Sequence, residues 1–233
     1  MNSKNYIIVR EKDQVRDLIQ HIQNSKLLAY DIETTSTNSR TGKIIGFSVS
    51  GDIGMGYYFP TLFWDPKAKK LVTLEIAGVD CTTIAIQLVS MLKGKKLVMH
   101  NGSFDIRFTK NGYGIDLRDD LYVDTMLLRH CLKEDGPLGL KPTAIELQNE
   151  LGLDVSTDAN EEQVLMKASI KANGGSTSKT NYELYKADLD LLGRYAAADT
   201  DLTLRVMTYY LPILKEEGLW DFFFTDEVMP LYK

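Results

Sequence analysis

The chain has 233 residues, 44% of them hydrophobic and 25% charged, with a formal net charge of −5. That length suits one substantial domain with a packed core. No apolar run approaches the ~20 residues that span a bilayer and no secretory leader is visible, which points away from a membrane and towards the cytoplasm, a host's if the source is viral. Its two cysteines, Cys81 and Cys131, offer neither a disulfide framework nor a metal-binding spacing.

In chain order, Tyr6–Val9 reads as a strand and Lys12–Gln23 as a helix. Lys26–Tyr30 is a short apolar run, hence a buried strand, with Asp31 and Glu33 at or just past its end. Residues i and i+2 of a strand share a face, so this D-x-E sets two carboxylates side by side. Like charges that close stay together only if cations neutralise them. The plain alternative is two acids on a solvated strand end. Ile44–Ser50 and Met55–Phe59 form a hairpin-like pair around Gly51–Gly54. Thr82–Leu92 is a helix and Leu97–Met99 a strand. Ser103 is placed to cap a helix beginning near Phe104, which puts Asp105 in its first turn, where the helix dipole also favours an acid. Phe104 and Phe108, one turn apart, suit either the core or a substrate platform.

Further helices fall near Asp124–Leu132, Lys141–Leu151 and Glu161–Ile170, then a Gly/Ser-rich, mobile stretch over Lys171–Lys179. A long amphipathic helix follows, about Leu189 to Lys215, capped by Asp188 and kinked or shortened at Pro212. Tyr195 and Asp199 lie one turn apart on one of its faces. Asp199 is near the apolar stripe, where an acid is costly unless paired or metal-bound. An ion pair with Arg194 or Arg205 is the ordinary alternative. Ala196, Ala197 and Ala198 let this helix approach another element closely. Asp201 faces elsewhere, pairs with Arg205 and is left out of the site. The lysine clusters at Lys67–Lys70 and Lys93–Lys96 read as solvated loops. Four carboxylates and a phenol, spread over a strand end, a helix start and a mid-helix turn, are what a two-metal phosphodiester site needs.

Asp31-x-Glu33, Asn101-x-x-Phe104-Asp105 and Tyr195-x-x-x-Asp199 resemble the three motifs of the DEDDy 3'-5' exonucleases. In particular they resemble the proofreading domain of family A DNA polymerases, the bacterial DNA polymerase I type. Asp124-Thr125-Met126-Leu127 resembles a further segment of that family. The resemblance runs from about Tyr6 to the end, with a weak patch at 154–181. It implies an α/β, RNase H-like (DnaQ-like exonuclease) fold, a mixed central sheet flanked by helices, over residues 1–217. It also implies two divalent metal ions, Mg²⁺ or Mn²⁺. Asp31 would bridge them, Glu33 and Asp199 would complete the water-activating site, Asp105 would hold the second metal, and Tyr195 would orient the attacking water. Asn101 and Phe104 fall at substrate-contact positions. Asp124 reads as a helix N-cap bracing the site.

Two departures stand out. Ser36, Thr37 and Asn38 occupy the place of a bulky apolar wedge. No counterpart is evident for the aromatic contact before the last helix, Tyr182 and Tyr185 being candidates. The implied function is release of 5'-mononucleotides from a single-stranded DNA 3' end. The rivals are an RNase D-like RNA-processing exonuclease and a non-catalytic nucleic-acid-binding module. No appended helical RNA-binding domain is visible, and retention of all five site residues argues against the module. Residues 218–233 are aromatic and apolar, and Glu227–Leu231 resembles the passage from exonuclease to polymerase domain. A polymerase domain in cis or in trans is therefore the expected partner, with packing on the long helix as the alternative.

Overall fold

The computed structural model describes residues 5–151, 158–178, 180–226 and 228–232. The chain order is β1 (Asn5–Ile8), α1 (Lys12–Asn24), β2 (Leu27–Thr34), β3 (Ile44–Ser50) and β4 (Met55–Pro60). Two small hairpins follow, β5 (Leu62–Asp65) with β6 (Lys70–Thr73) and β7 (Glu75–Ile76) with β8 (Val79–Asp80). Next come α2 (Cys81–Ser90), β9 (Lys96–Met99), α3 (Gly102–Tyr113), β10 (Leu121–Asp124), α4 (Thr125–Leu132), α5 (Leu140–Leu151) and α6 (Asp158–Ala172). A hairpin of β11 (Thr177–Ser178) and β12 (Asn181–Tyr182) leads to α7 (Leu189–Glu216), a π-helical turn at Phe222–Asp226 and α8 (Val228–Tyr232).

Six strands form one mixed sheet in the order β1-β4-β3-β2-β9-β10. The β2-β3-β4 run is antiparallel, while β1 joins β4, and β9 and β10 extend β2, in parallel. Every residue of β3 is buried, as its near-continuous apolar sequence requires of a strand covered on both faces. Phe47, Val49, Phe59, Leu97 and Val98 fill the centre of the core, with Leu18 and Ile22 of α1 packed into it. This is the expected mixed sheet flanked by helices.

α7 lies across β1 to β4. Its buried Ala196 and Ala197 allow the close approach anticipated from the small residues. Gly56 of β4 completes it, for a Cβ there would stand 2.3 Å from the Ala197 carbonyl oxygen. Asp188 caps α7 by accepting from the Asp190 and Leu191 N–H groups at 3.0 and 3.1 Å. Pro212 does not end the helix, which runs on to Glu216, because its last turns bury Leu214 completely and packing outweighs the missing backbone donor.

Other boundaries differ as well. β2 extends through Thr34, so Asp31 and Glu33 lie within the strand. Asn101, in a left-handed conformation (φ 62°), stands at the N-cap of α3, and Ser103 lies inside the helix. Part of the supposed mobile stretch forms the β11-β12 hairpin; Lys179 lies outside the described residues, as does part of the weak patch at 154–181. The aromatic segment after α7 packs on the sheet edge, with Phe223 and Met229 buried and Phe224 stacked on Tyr122 of β10 at 5.3 Å; Glu227 and Lys233 lie outside the described residues.

The α7–β4 contact yields a first test. Gly56→Ala should destabilise the fold by about 1–3 kcal/mol, since backbone faces the new methyl and cannot yield cheaply. Chemical denaturation checks it; an unchanged midpoint would mean that α7 is not seated on β4 in this way.

Candidate active site

Three elements deliver the acidic side chains. β2 presents Asp31 and Glu33 on one face, the i and i+2 relation holding within the strand. β9 pairs with β2 only as far as Ala29. Beyond it that side of β2 has no strand partner, and Asp105 of α3 fills the gap by accepting the Ile32 N–H at 3.1 Å. Tyr30, pointing the other way from Asp31, ties down the same helix through Thr109, hydroxyl to hydroxyl at 2.8 Å. α7 adds Tyr195 and Asp199 from the face over β2.

The electrostatics are those of crowded acids. Burial and the nearby Asp199 push the Asp31 carboxyl up to about 8, against a partial offset from Lys141. Glu33 is held well above the usual carboxylate range by burial, then by Asp31 and Asp199. Asp105 is raised by burial and by Asp31, and Asp199 by burial. Asp31 is thus the acid whose charge reaches both Glu33 and Asp105. Without added cations Asp31, Glu33 and Asp105 favour their protonated forms, because burial and mutual repulsion penalise the charge. The Tyr195 phenol is driven well above its ordinary value by burial and then by Asp199, Glu33 and Asp31. It stays a neutral hydrogen-bonding group.

Sequence analysis did not single out Lys141. It lies in the first turn of α5, where a cation opposes the helix dipole; that local conflict was the available signal. Its ammonium is 3.1 Å from Asp199 Oδ1 and 3.3 Å from Oδ2, and 2.9 Å from the Tyr195 ring centroid. The expected alternative partners of Asp199, Arg194 and Arg205, are not on it. His100 steadies this arrangement, since its Nε2 bonds to the Leu138 carbonyl at 2.8 Å, tying the start of α5 to the end of β9.

The chemistry of the donor set fits a hard divalent cation. In this conformation, however, no three His, Cys, Asp or Glu side chains among the described residues converge on a single point. The positive charge at Asp199 comes from Lys141 instead. Asp201 makes the expected ion pair with Arg205, accepting from its Nε at 3.0 Å, and it is also buried, accepting from the Tyr6 hydroxyl (2.8 Å) and the Gly54 N–H (2.8 Å). Those bonds lock α7 to β1 and to the β3-β4 turn.

Asp124, fully buried, accepts from the Asn101 and Gly102 N–H groups at 3.2 and 2.7 Å and caps α4 through the Met126 N–H at 2.9 Å. It therefore holds the chain reversal that starts α3. Asn101 itself is exposed at that turn. Phe104 packs on Phe108, centroids 4.8 Å apart, and also lines a cleft of about 340 Å³ with Glu33, Ser36, Thr37 and Tyr182. Phe104 thus packs against a buried neighbour and also borders open space. Tyr182 lies in this cleft, whereas Tyr185 faces Trp64 outside it.

Residues 6–215 match the 3'-5' exonuclease family model associated with family A DNA polymerases. The chain is similar to a DNA polymerase of Escherichia phage T5, 26% identical over 97% of the chain and 25% of that protein. It is likewise similar to DNA polymerase I of Borreliella burgdorferi, 26% identical over 92% of the chain and 20% of that protein. The chain therefore spans a quarter or less of the length of these two relatives. Among solved structures, Escherichia coli RNase D aligns with a TM-score of 0.57 at 14% identity, covering 92% of this chain and 46% of that one. Brucella melitensis NrnC bound to pGG aligns at 0.55 and 17% identity, covering 93% and 84%. These structural likenesses establish the fold, the DnaQ-like exonuclease architecture.

The position of Lys141 generates a test with a distinctive sign. A cation already on Asp199 competes with any incoming divalent ion. Lys141→Met should tighten Mn²⁺ binding in calorimetric titration by about tenfold or more, because unit charges ~4 Å apart interact by several kcal/mol near a protein surface. The same variant should melt lower in EDTA, having lost its internal counter-ion. Weaker or unchanged Mn²⁺ binding would refute the competition.

Proposed function

The chain belongs to the 3'-5' exonuclease family, and on that premise we propose that it removes 5'-mononucleotides from the 3' end of single-stranded DNA by metal-assisted hydrolysis. The observation that carries this reading is the gathering of Asp31, Glu33, Asp105 and Asp199 around β2, where burial and mutual repulsion raise their carboxyls and Lys141 is the cation bonded to Asp199. Asp31, Glu33 and Asp199 would hold one divalent cation, and Asp31 with Asp105 a second. When bound, the metals supply the Lewis acidity that activates water and offsets charge on the leaving 3'-oxygen. The Tyr195 hydroxyl orients the attacking water; with its proton held so firmly it is not the base. Phe104 and Tyr182 form the walls against which the terminal nucleotides rest. The buried carboxylates lie below the surface, so a paired end must fray before its terminal phosphate reaches them.

The DNA preference rests on the polymerase relatives. The proposed setting is proofreading beside a polymerase activity, in cis or in trans. Residues 218–233 would be the junction, where Trp220 and Phe222 remain 36% and 45% exposed.

The experiment is degradation of 5'-labelled DNA and RNA strands of matched sequence with Mg²⁺ or Mn²⁺. DNA should shorten stepwise from its 3' end, EDTA should stop the reaction, and Asp31→Ala should abolish it. In EDTA the same variant should melt higher than the parent at pH 8. The raised carboxyl makes the metal-free fold lose stability as pH climbs from about 4 towards 8, so deleting Asp31 removes that loss. Activity persisting in excess EDTA would sink the proposal. Faster loss of RNA than DNA would transfer it to the RNA-processing reading.

A further inference from the structure

Beyond the cleft lined by Glu33 and Phe104 the surface continues in one direction. Thr35 lines both that cleft and a second one of about 390 Å³, which Lys43, Trp64 and Tyr185 also line. Trp64 in turn borders a third, of about 520 Å³, flanked by Lys69 and Lys186. Each is within the range of about 300–1,000 Å³ typical of sites for small molecules or single ligand groups. The path is a chain of shared walls, and among the described residues neither of the two outer clefts is lined by an acid.

Its floor is built for flat groups. Tyr185 meets Trp64 edge-on, centroids 5.8 Å apart at 68°, and the Lys186 ammonium lies 5.0 Å from the Trp64 ring. Glu183 holds both the Tyr185 hydroxyl, at 2.6 Å, and Lys186, at 3.1 Å, so these groups are fixed in place. The Trp64 indole N–H is buried and has no hydrogen-bond partner among the described residues. An orphaned buried donor is costly and calls for a reason; a ring kept for its face supplies one. Lys43 is brought alongside by a two-rung clasp, the Thr35 N–H to the Lys43 carbonyl and the Lys43 N–H to Thr35 Oγ1, each 2.9 Å. Lys43 and Lys69 are exposed.

We propose that the Trp64 hairpin and its lysines form a second binding track, which takes the single strand upstream of the terminal nucleotides bound at the metal site. Bases stack on Trp64 and Tyr185, and phosphates run past Lys43 and Lys69. Aromatic faces combined with lysines are how proteins hold single strands without reading sequence. This site deepens the exonuclease reading and rests on it.

The test measures binding of DNA oligonucleotides of 2, 4, 6 and 8 nucleotides to the full chain carrying Asp31→Ala, in Ca²⁺. Affinity should rise with length. Adding Trp64→Ala should lower affinity for the 8-mer by about tenfold, the loss expected of one stacked base, and leave the dinucleotide unchanged. Trp64→Phe should recover most of the loss. As a variant that disturbs no packing, Lys43→Glu with Lys69→Glu should weaken the 8-mer alone and flatten its salt dependence. If all lengths bind equally, or the substitutions affect the dinucleotide as much as the 8-mer, the track is wrong while the exonuclease reading stands. If no oligonucleotide binds, the exonuclease reading fails and takes the track with it.

Discussion

Repulsion between buried carboxylates is the constraint on which the rest of this molecule depends. Asp31, Glu33, Asp105 and Asp199 cannot all be ionised in one place unless positive charge is supplied. The fold nevertheless spends rigid elements on bringing them together. β2 carries two of them in mid-strand, α3 is fastened to the open edge of β2 by the acid it delivers, and α7 is seated against β4 at the Gly56–Ala197 contact. Lys141 is the internal answer to the charge. It bonds to Asp199 from the start of α5, a point held in turn by His100.

Asp199 and Asp201 show how the same residue type, two positions apart, can serve opposite ends. Asp201 is satisfied three times over by Tyr6, Gly54 and Arg205 and acts as a fastening. The carboxylate of Asp199 has one cation on it, and its Oδ1 lacks a hydrogen bond of good geometry among the described residues. Acids that build structure are normally fully bonded, and Asp199 departs from that pattern where Asp201 follows it. Asp124 belongs with Asp201, since its oxygens are taken up by the backbone at the starts of α3 and α4.

Much of this was legible in the sequence, for identifiable reasons. D-x-E in a strand and Y-x-x-x-D on a helix have fixed geometries, so the facing pairs could be read without tertiary knowledge. The long helix, its Asp188 cap and its small-residue face were likewise local. What escaped reading depended on distant partners. β10 has only four residues and runs directly into α4, so it merged with the helix pattern. The β5-β6 hairpin was masked by its lysine-rich turn. The burial of Asp201 needs β1 and the β3-β4 turn, elements about 150–200 residues away in the chain. Lys141 is 58 residues from Asp199, and only its misfit with the helix dipole hinted at a role.

The most direct measurement is the crystal structure of the chain grown or soaked with Mn²⁺, read by anomalous scattering. The account predicts manganese between Asp31, Glu33 and Asp199, with the Lys141 ammonium displaced from Asp199 and from the Tyr195 ring. Lys141 remaining on Asp199 at millimolar Mn²⁺, with no anomalous density beside Asp31, would contradict it.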